Sequence, residues 1–266
     1  MEHKPCVLIT GAGNGLGKAL ASTFAENGYQ VFAGDIAFSD ANEHVNILQL
    51  SLDITDKESI QTALLEIQNK TDQLAILINN AGISDNFPIS ESDPEMVFDM
   101  LNINTMGSLR VVHHFLPLLL KARGKIITIS SESVRIPGAF QPYQVSKIAL
   151  EGIHKTLRQE LLIKGVRMII IRPGAINTKL LSGVLELAPY DYLIFKKEFD
   201  NFRKIAPKYI GKVLEPGIVA QRIYKISLKK NPRYAYRINH DPVRKLIACL
   251  PEKFRDHLVK IRLTRF

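Results

Sequence analysis

Between an apolar run, Cys6 to Thr10, and a stretch of helical periodicity, Leu16 to Asn27, lies the segment Gly11-Ala-Gly13-Asn-Gly15-Leu-Gly17. An apolar run stopped by glycine reads as a buried parallel strand, and a periodic stretch followed by Gly28 reads as a helix with its terminator. Strand, glycine turn and helix in that order commit the chain to an α/β fold, because parallel strands need helical crossovers. Glycines also let a backbone approach a pyrophosphate, while the helix N-terminus offers unpaired N–H groups and the positive end of its dipole. The spacing is G-x-x-x-G-x-G. In G-x-G-x-x-G the third glycine would fall on Leu16 or Lys18.

The same alternation continues. Gln30 to Gly34 is expected as a second strand, with Asp35 at its end, where a carboxylate accepts hydrogen bonds from a ribose diol and repels a 2′-phosphate. That favours NAD over NADP, although Asp35 also fits a turn or cap. A third strand, Asn46 to Ser51, is followed by Asp53 and Ile54, which either contact an adenine edge or cap the helix from Asp56 to about Lys70. Leu74 to Ile78 is a fourth strand, and Asn79-Asn80-Ala81-Gly82 a polar turn at its C-terminal end. Asp93 and Pro94 open a long helix that carries Asn102, Asn104 and Gly107 and runs to about Leu120, with Pro117 expected to kink or end it. A buried asparagine there is either a satisfied core amide or a functional group. Gly124 to Ile129, Val166 to Ile171 and Arg233 to Ile238 complete about seven strands. The expected architecture is one Rossmann-like, doubly wound parallel sheet spanning the whole chain, without linker, repeat or low-complexity stretch.

The fifth strand delivers Ser130 and Ser131, and a helix opened by Pro142 carries Tyr143 and Lys147 one turn apart on one face. A phenol beside an ammonium is an acid/base pair: a free tyrosine titrates at about 10, and a neighbouring cation favours the phenolate. A serine hydroxyl nearby can hold a substrate oxygen while its proton moves. After the sixth strand, Pro173-Gly174 leads into Ile176 and Thr178, where backbone and hydroxyl meet a carboxamide, or form only a turn.

Composition narrows the function classes. The chain has 266 residues and a net charge of +9. Residues 196–266 hold 19 Lys/Arg against 6 Asp/Glu, and residues 1–195 hold 16 against 20, so the basic character belongs to the tail. Solvated faces and subunit contacts account for such a tail, as does attraction to an anionic membrane. Nucleic acid is disfavoured, because neither zinc spacing nor an RRM signature is present. Cys6 and Cys249 lack ligand-like spacing and are expected as buried thiols, with no metal site. With no apolar run near the roughly 20 residues of a bilayer span, the cytosol is the expected location.

Taken as a set, these motifs resemble the short-chain dehydrogenase/reductase family in its short single-domain branch, over most of residues 6 to 178. Thr10-Gly11-x-x-x-Gly15-x-Gly17 is similar to its cofactor loop, Asn79-Asn80-Ala81-Gly82 to its sheet-stabilising turn, and Tyr143-x-x-x-Lys147 to its active site. Pro173-Gly174 with Thr178 resembles the segment that orients the nicotinamide. The resemblance implies a cofactor site of Gly11, Asn14, Gly15, Leu16, Gly17, Asp35, Asp53, Ile54, Asn80, Tyr143, Lys147, Ile176 and Thr178. It implies a catalytic set of Asn104, Ser131, Tyr143 and Lys147, with Asn104 holding a water in a proton relay and Ser131 orienting the substrate. The interval from Ser131 to Tyr143 is one residue shorter than is common in the family, which keeps Ser130 and Ser133 open.

The implied reaction is hydride exchange between NAD(H) and a secondary alcohol or ketone. Residues 179–212 correspond to the family's variable substrate lid. Their apolar members Leu180, Leu181, Val184, Leu185, Leu187, Tyr190, Tyr192 and Phe195 suggest a steroid-, retinoid- or lipid-like substrate, or else a domain or subunit contact. Residues 240–266 read as a basic amphipathic segment that packs on the domain or a partner, or docks on a membrane surface. A homo-oligomer is expected by analogy with the family. A dinucleotide-binding sensor or scaffold without turnover is the alternative.

Overall fold

In the computed structural model, which describes residues 4–41, 44–136, 138–185, 194–240 and 246–264, the apolar runs form strands β1 (Cys6–Thr10), β2 (Gln30–Asp35), β3 (Ile47–Ser51), β4 (Ile76–Asn79), β5 (Lys125–Ile129), β6 (Arg167–Pro173) and β7 (Ala235–Ile238). They pair in parallel in the order β3-β2-β1-β4-β5-β6-β7. The connecting helices are α1 (Gly15–Glu26), α2 (Lys57–Gln68), α3 (Pro94–Leu101), α4 (Ser108–Ala122), α5 (Pro142–Ile163), α6 (Lys179–Leu185), α7 (Lys196–Ile205), α8 (Pro216–Ser227) and α9 (Glu252–Thr264).

Strand residues alternate between two buried faces, which is why these strands are apolar throughout. Val7 and Ile9 pack with Leu20 and Phe24 of α1 and with Val219 and Ile223 of α8. Leu8, Phe32 and Leu77 pack on the other face with Ile60 of α2 and Phe115 of α4. A third cluster, separate from the sheet, joins Phe87, Met100, Phe140, Phe199 and Phe202, with Tyr143 and Leu263 against it. Phe140 meets Phe199 and Phe202 edge to face at 5.6 and 5.8 Å, and those two rings stack on each other at 5.9 Å. Strand order reverses between β1 and β4, so their C-terminal ends diverge and leave a crevice, the usual ligand position in open α/β sheets.

Three expectations need correction. The long helix from Asp93 is interrupted: α3 passes into a π-helical turn, Asn102–Gly107, before α4 begins. Arg110 braces that turn by donating to the Asn102 carbonyl at 3.3 Å and to its side-chain oxygen at 2.7 Å. Pro117 does not end α4, which continues to Ala122; burial of Leu118 and Leu119 outweighs the lost hydrogen bond. Cys6 is buried as expected, but Cys249 is exposed, its surrounding run lying at the surface. Leu187, Tyr190 and Tyr192 lie outside the described residues. The segment after Pro251 forms α9, and Asn201 of α7 donates to the Leu263 carbonyl at 2.7 Å. Among the described residues no helix is long and apolar enough to cross a membrane.

His154 of α5 is 1% exposed, and its Nε2 lies 2.5 Å from Thr128 Oγ1. Burial holds its pKa down to about 4, whereas an unfolded histidine titrates at about 6.5. Acidification through this window protonates the unfolded chain and leaves the folded one neutral. The contribution is therefore present above about pH 6.5 and falls by about 3 kcal/mol toward pH 4. Urea midpoints at pH 7.5, 6 and 5 should fall more steeply for the wild-type protein than for His154→Gln.

Candidate active site

The crevice opens into a cleft of about 760 Å³ along the C-terminal edge of the sheet. At one end the turn after β1 supplies Gly11, Asn14, Gly15, Leu16 and Gly17. Gly11 adopts φ +66°, and a Cβ there would lie 2.7 Å from Ala81 Cα. One on Gly17 would lie 2.7 Å from Asn80 Nδ2. Only glycine lets this turn sit against β4. Asn80 locks it, donating from Nδ2 to the Thr10 and Gly11 carbonyls at 3.0 and 2.9 Å. The Thr10 hydroxyl accepts from the N–H groups of Asn80 and Ala81, each at 3.1 Å.

These residues fit a pyrophosphate. Asn14 at the N-cap of α1 makes no side-chain capping bond, and the first turn carries no acidic residue, so donors and dipole remain open to an anion. Asp35 lines the cleft at the end of β2, its carboxylate held by the Gly13 N–H at 2.7 Å and the Ala37 N–H at 3.3 Å. A carboxylate has acceptor capacity beyond those two bonds. Asp53 and Ile54 line the same end. Asp53 also accepts from the Thr55 N–H and hydroxyl at 2.8 and 2.7 Å, setting the entry to α2, so wall and turn coincide in one residue. Ile176 and Thr178 line the cleft with Leu180 and Leu181, Thr178 against the glycine turn, where a Cβ on Gly15 would lie 3.0 Å from its Cγ2.

At the other end stand Ser131, Tyr143 and Lys147. The Ser131 hydroxyl lies close enough to Tyr143 to lower its pKa and accepts from the Ser133 hydroxyl at 2.8 Å. Ser130 also lines the cleft but spends its hydroxyl on Glu151 at 2.6 Å, so of the three serines Ser131 is the one that acts on the phenol. Lys147, 4% exposed, donates to the Ile129 carbonyl at 3.1 Å and lies 5.7 Å from the Tyr143 ring centre. The neighbouring ammonium was expected to favour the phenolate. Burial instead pushes Tyr143 up to about 12, the Ser131 hydroxyl opposing it, and pulls Lys147 down to about 8. Both charged forms are penalised where water is scarce.

Asn104 stands apart from the cleft wall. It is 0% exposed; its side-chain oxygen accepts from the Ile83 N–H at 2.8 Å, and its Nδ2 donates to the Ile83 carbonyl at 2.9 Å and Ser146 Oγ at 2.8 Å. Oxygen and nitrogen of the amide thus tie the π-helical turn to the loop after β4 and to α5. Sequence reasoning missed Gly82 as a spacer. A Cβ there would lie 2.9 Å from Asn104 Oδ1 and 3.5 Å from Lys147 Nζ. It also missed the wall formed by Ile83, Ser84 and Asn86, which no spacing marks. Among the described residues no group of three or more His, Cys, Asp or Glu side chains gathers as a metal site.

Fold and site together define a dinucleotide-binding α/β protein with a serine–tyrosine–lysine cluster built around a buried lysine. A family model described as short chain dehydrogenase matches residues 5–186. The NADPH-dependent 1-acyldihydroxyacetone phosphate reductase of Schizosaccharomyces pombe is 35% identical over 190 residues, covering 70% of this chain and 64% of its own length. Short-chain dehydrogenase ptmH of Penicillium ochrochloron is 30% identical over 99% of this chain and 98% of its own. A short-chain dehydrogenase from Streptomyces avermitilis shares the fold with a TM-score of 0.78 at 22% identity, over 98% of this chain and 97% of that one. The chain belongs to the short-chain dehydrogenase/reductase family of oxidoreductases.

Proposed function

We propose that this protein exchanges hydride between NAD(H) and a hydrophobic secondary alcohol or ketone of steroid-, retinoid- or lipid-like character. The observation that carries the reading is the gathering of Ser131, Tyr143 and Lys147 in one cleft with the glycine turn, the serine close enough to lower the phenol's pKa and the ammonium 5.7 Å from its ring centre. A protein that only bound a dinucleotide would have no use for that grouping.

Bound in the cleft, the dinucleotide supplies the redox chemistry, accepting or giving hydride. Gly11 to Gly17 would hold its pyrophosphate, Asp35 its adenosine ribose, and Ile176 with Thr178 its carboxamide. Tyr143 takes the proton of the alcohol during oxidation and returns it during reduction. Ser131 hydrogen-bonds the reacting oxygen and fixes its distance from the phenol. Lys147 stabilises the phenolate, and Asn104 keeps α5 in place through Ser146. The apolar side chains of Leu180, Leu181 and Ile210 favour a substrate with little polar surface.

NAD is preferred because a 2′-phosphate would meet the Asp35 carboxylate. The NADPH dependence of the yeast relative makes this a point to measure. Self-association is proposed through outward apolar side chains of α3 and α5, Phe98, Val145 and Ile148, and sedimentation velocity would read it. Membrane contact is proposed through the basic tail, where Phe254 is 63% exposed; liposome sedimentation at low and high salt would read it.

The decisive test incubates the purified protein with NAD and a panel of steroid, retinoid and acylglycerol-type alcohols, then with NADH and the matching ketones. Formation or loss of reduced nicotinamide is expected for at least one pair. Absence of turnover in both directions, with NADP(H) as well, would sink the proposal.

A further inference from the structure

Ser131 is aimed at Tyr143 by the anchorage of its two neighbours. Its backbone is extended, φ −152° and ψ 150°, so the side chains on either side project to the opposite face. There Ser130 donates to Glu151 at 2.6 Å, and Glu151 receives Arg172 of β6 through two bonds of 2.8 and 2.5 Å. On the far side Glu132, 4% exposed, receives both arms of Arg237 from β7, one at 2.9 Å and the other from Nη2 to Oε1. One guanidinium–carboxylate fork therefore stands behind each neighbour of the hydroxyl that meets the phenol.

The second fork also holds Glu132 at the cleft wall, next to Ser131. Glu132 and Arg237 are separated by 105 residues, and a two-bond fork fixes direction in a way that packing alone does not. Buried ion pairs are poor stabilisers compared with apolar residues of similar shape. A pair spent on the residue next to the serine thus points to geometry as its return.

We propose that Glu132 and Arg237 are positioning residues for the reaction, the fork between them holding the Ser131 hydroxyl in register with Tyr143. The inference rests on the dehydrogenase reading above and deepens it by adding β7 to the parts that set the active site.

Arg237→Lys keeps the charge and removes the fork, and Glu132→Gln keeps the shape and removes the charge. Each is expected to lower kcat about tenfold while the dissociation constant for NAD stays within about twofold. The discriminating measurement is a double-variant cycle. In a Ser131→Ala background, Arg237→Lys should cost no further activity, because the group it positions is gone. An equal loss with and without Ser131 would overturn the proposal, as would full kcat in the folded Glu132→Leu/Arg237→Met double variant. If the wild-type protein turns over no substrate, the dehydrogenase reading fails, and the positioning claim is then decided by a crystal structure of Arg237→Lys. Ser131 displaced from Tyr143 supports it; Ser131 in the same place relative to Tyr143 as in the wild-type protein overturns it.

Discussion

Tyr143→Phe is expected to lower kcat by about 10³-fold in both directions while cofactor affinity changes by less than about threefold. The substitution removes the proton-carrying oxygen and keeps the ring that packs against the third aromatic cluster, so folding should be retained. Steady-state kinetics with a substrate found in the alcohol panel would check it, and a loss smaller than about tenfold would point to another acid. The pH dependence follows from the burial of the pair. Oxidation needs the phenolate, so below a pKa of about 12 each unit of acidification costs about tenfold in the base form. Its rate should climb with pH until Lys147 starts to lose its proton near 8. Reduction needs the protonated phenol, already the dominant form at neutrality, so its rate should be flat from pH 6 to the same limit.

The second large effect concerns the coenzyme. Asp35→Ser is expected to shift the ratio of kcat/KM for NAD over NADP by about 10²-fold toward NADP, since it removes a fixed negative charge from the place of a 2′-phosphate. Serine can still accept from the Gly13 N–H that Asp35 holds at 2.7 Å, so the turn should survive. Lys18, which pairs with Asp40 at 3.3 Å, lines a neighbouring hollow of about 360 Å³ with Gly13 and offers a cation on that side. An unchanged ratio would mean that Asp35 serves the turn alone.

Sheet and cofactor crevice were legible because their signals are local: apolar runs, glycine spacing and capping residues act within a few positions. Pro142 sets the start of α5, and the helix runs to Ile163 as its periodicity predicts. Asp93 caps α3 through the Glu95 N–H at 3.0 Å. The π-helical turn left no such trace, since an added residue within Asn102–Gly107 alters the apolar period too briefly to register. Nor could spacing show that Asn104 spends its amide on Ile83 and Ser146, or that Glu132 meets Arg237. Those pairings depend on which strand ends the fold brings together. Which of Ser130, Ser131 and Ser133 acts on the phenol likewise depends on conformation and not on composition: Ser130 spends its hydroxyl on Glu151, and Ser133 donates to Ser131.

The aromatic cluster that leans on Tyr143 has a bearing on anyone wishing to redesign this catalyst. Phe140, Phe199 and Phe202 sit behind the cleft rather than in its wall, so trimming them would open space only by loosening the seat of the proposed proton carrier's ring. A mutant library directed at them would trade speed for breadth. Diversity placed along Ile83, Ser84 and Asn86, across the cleft, leaves that seat untouched and is where new selectivity should emerge with throughput preserved.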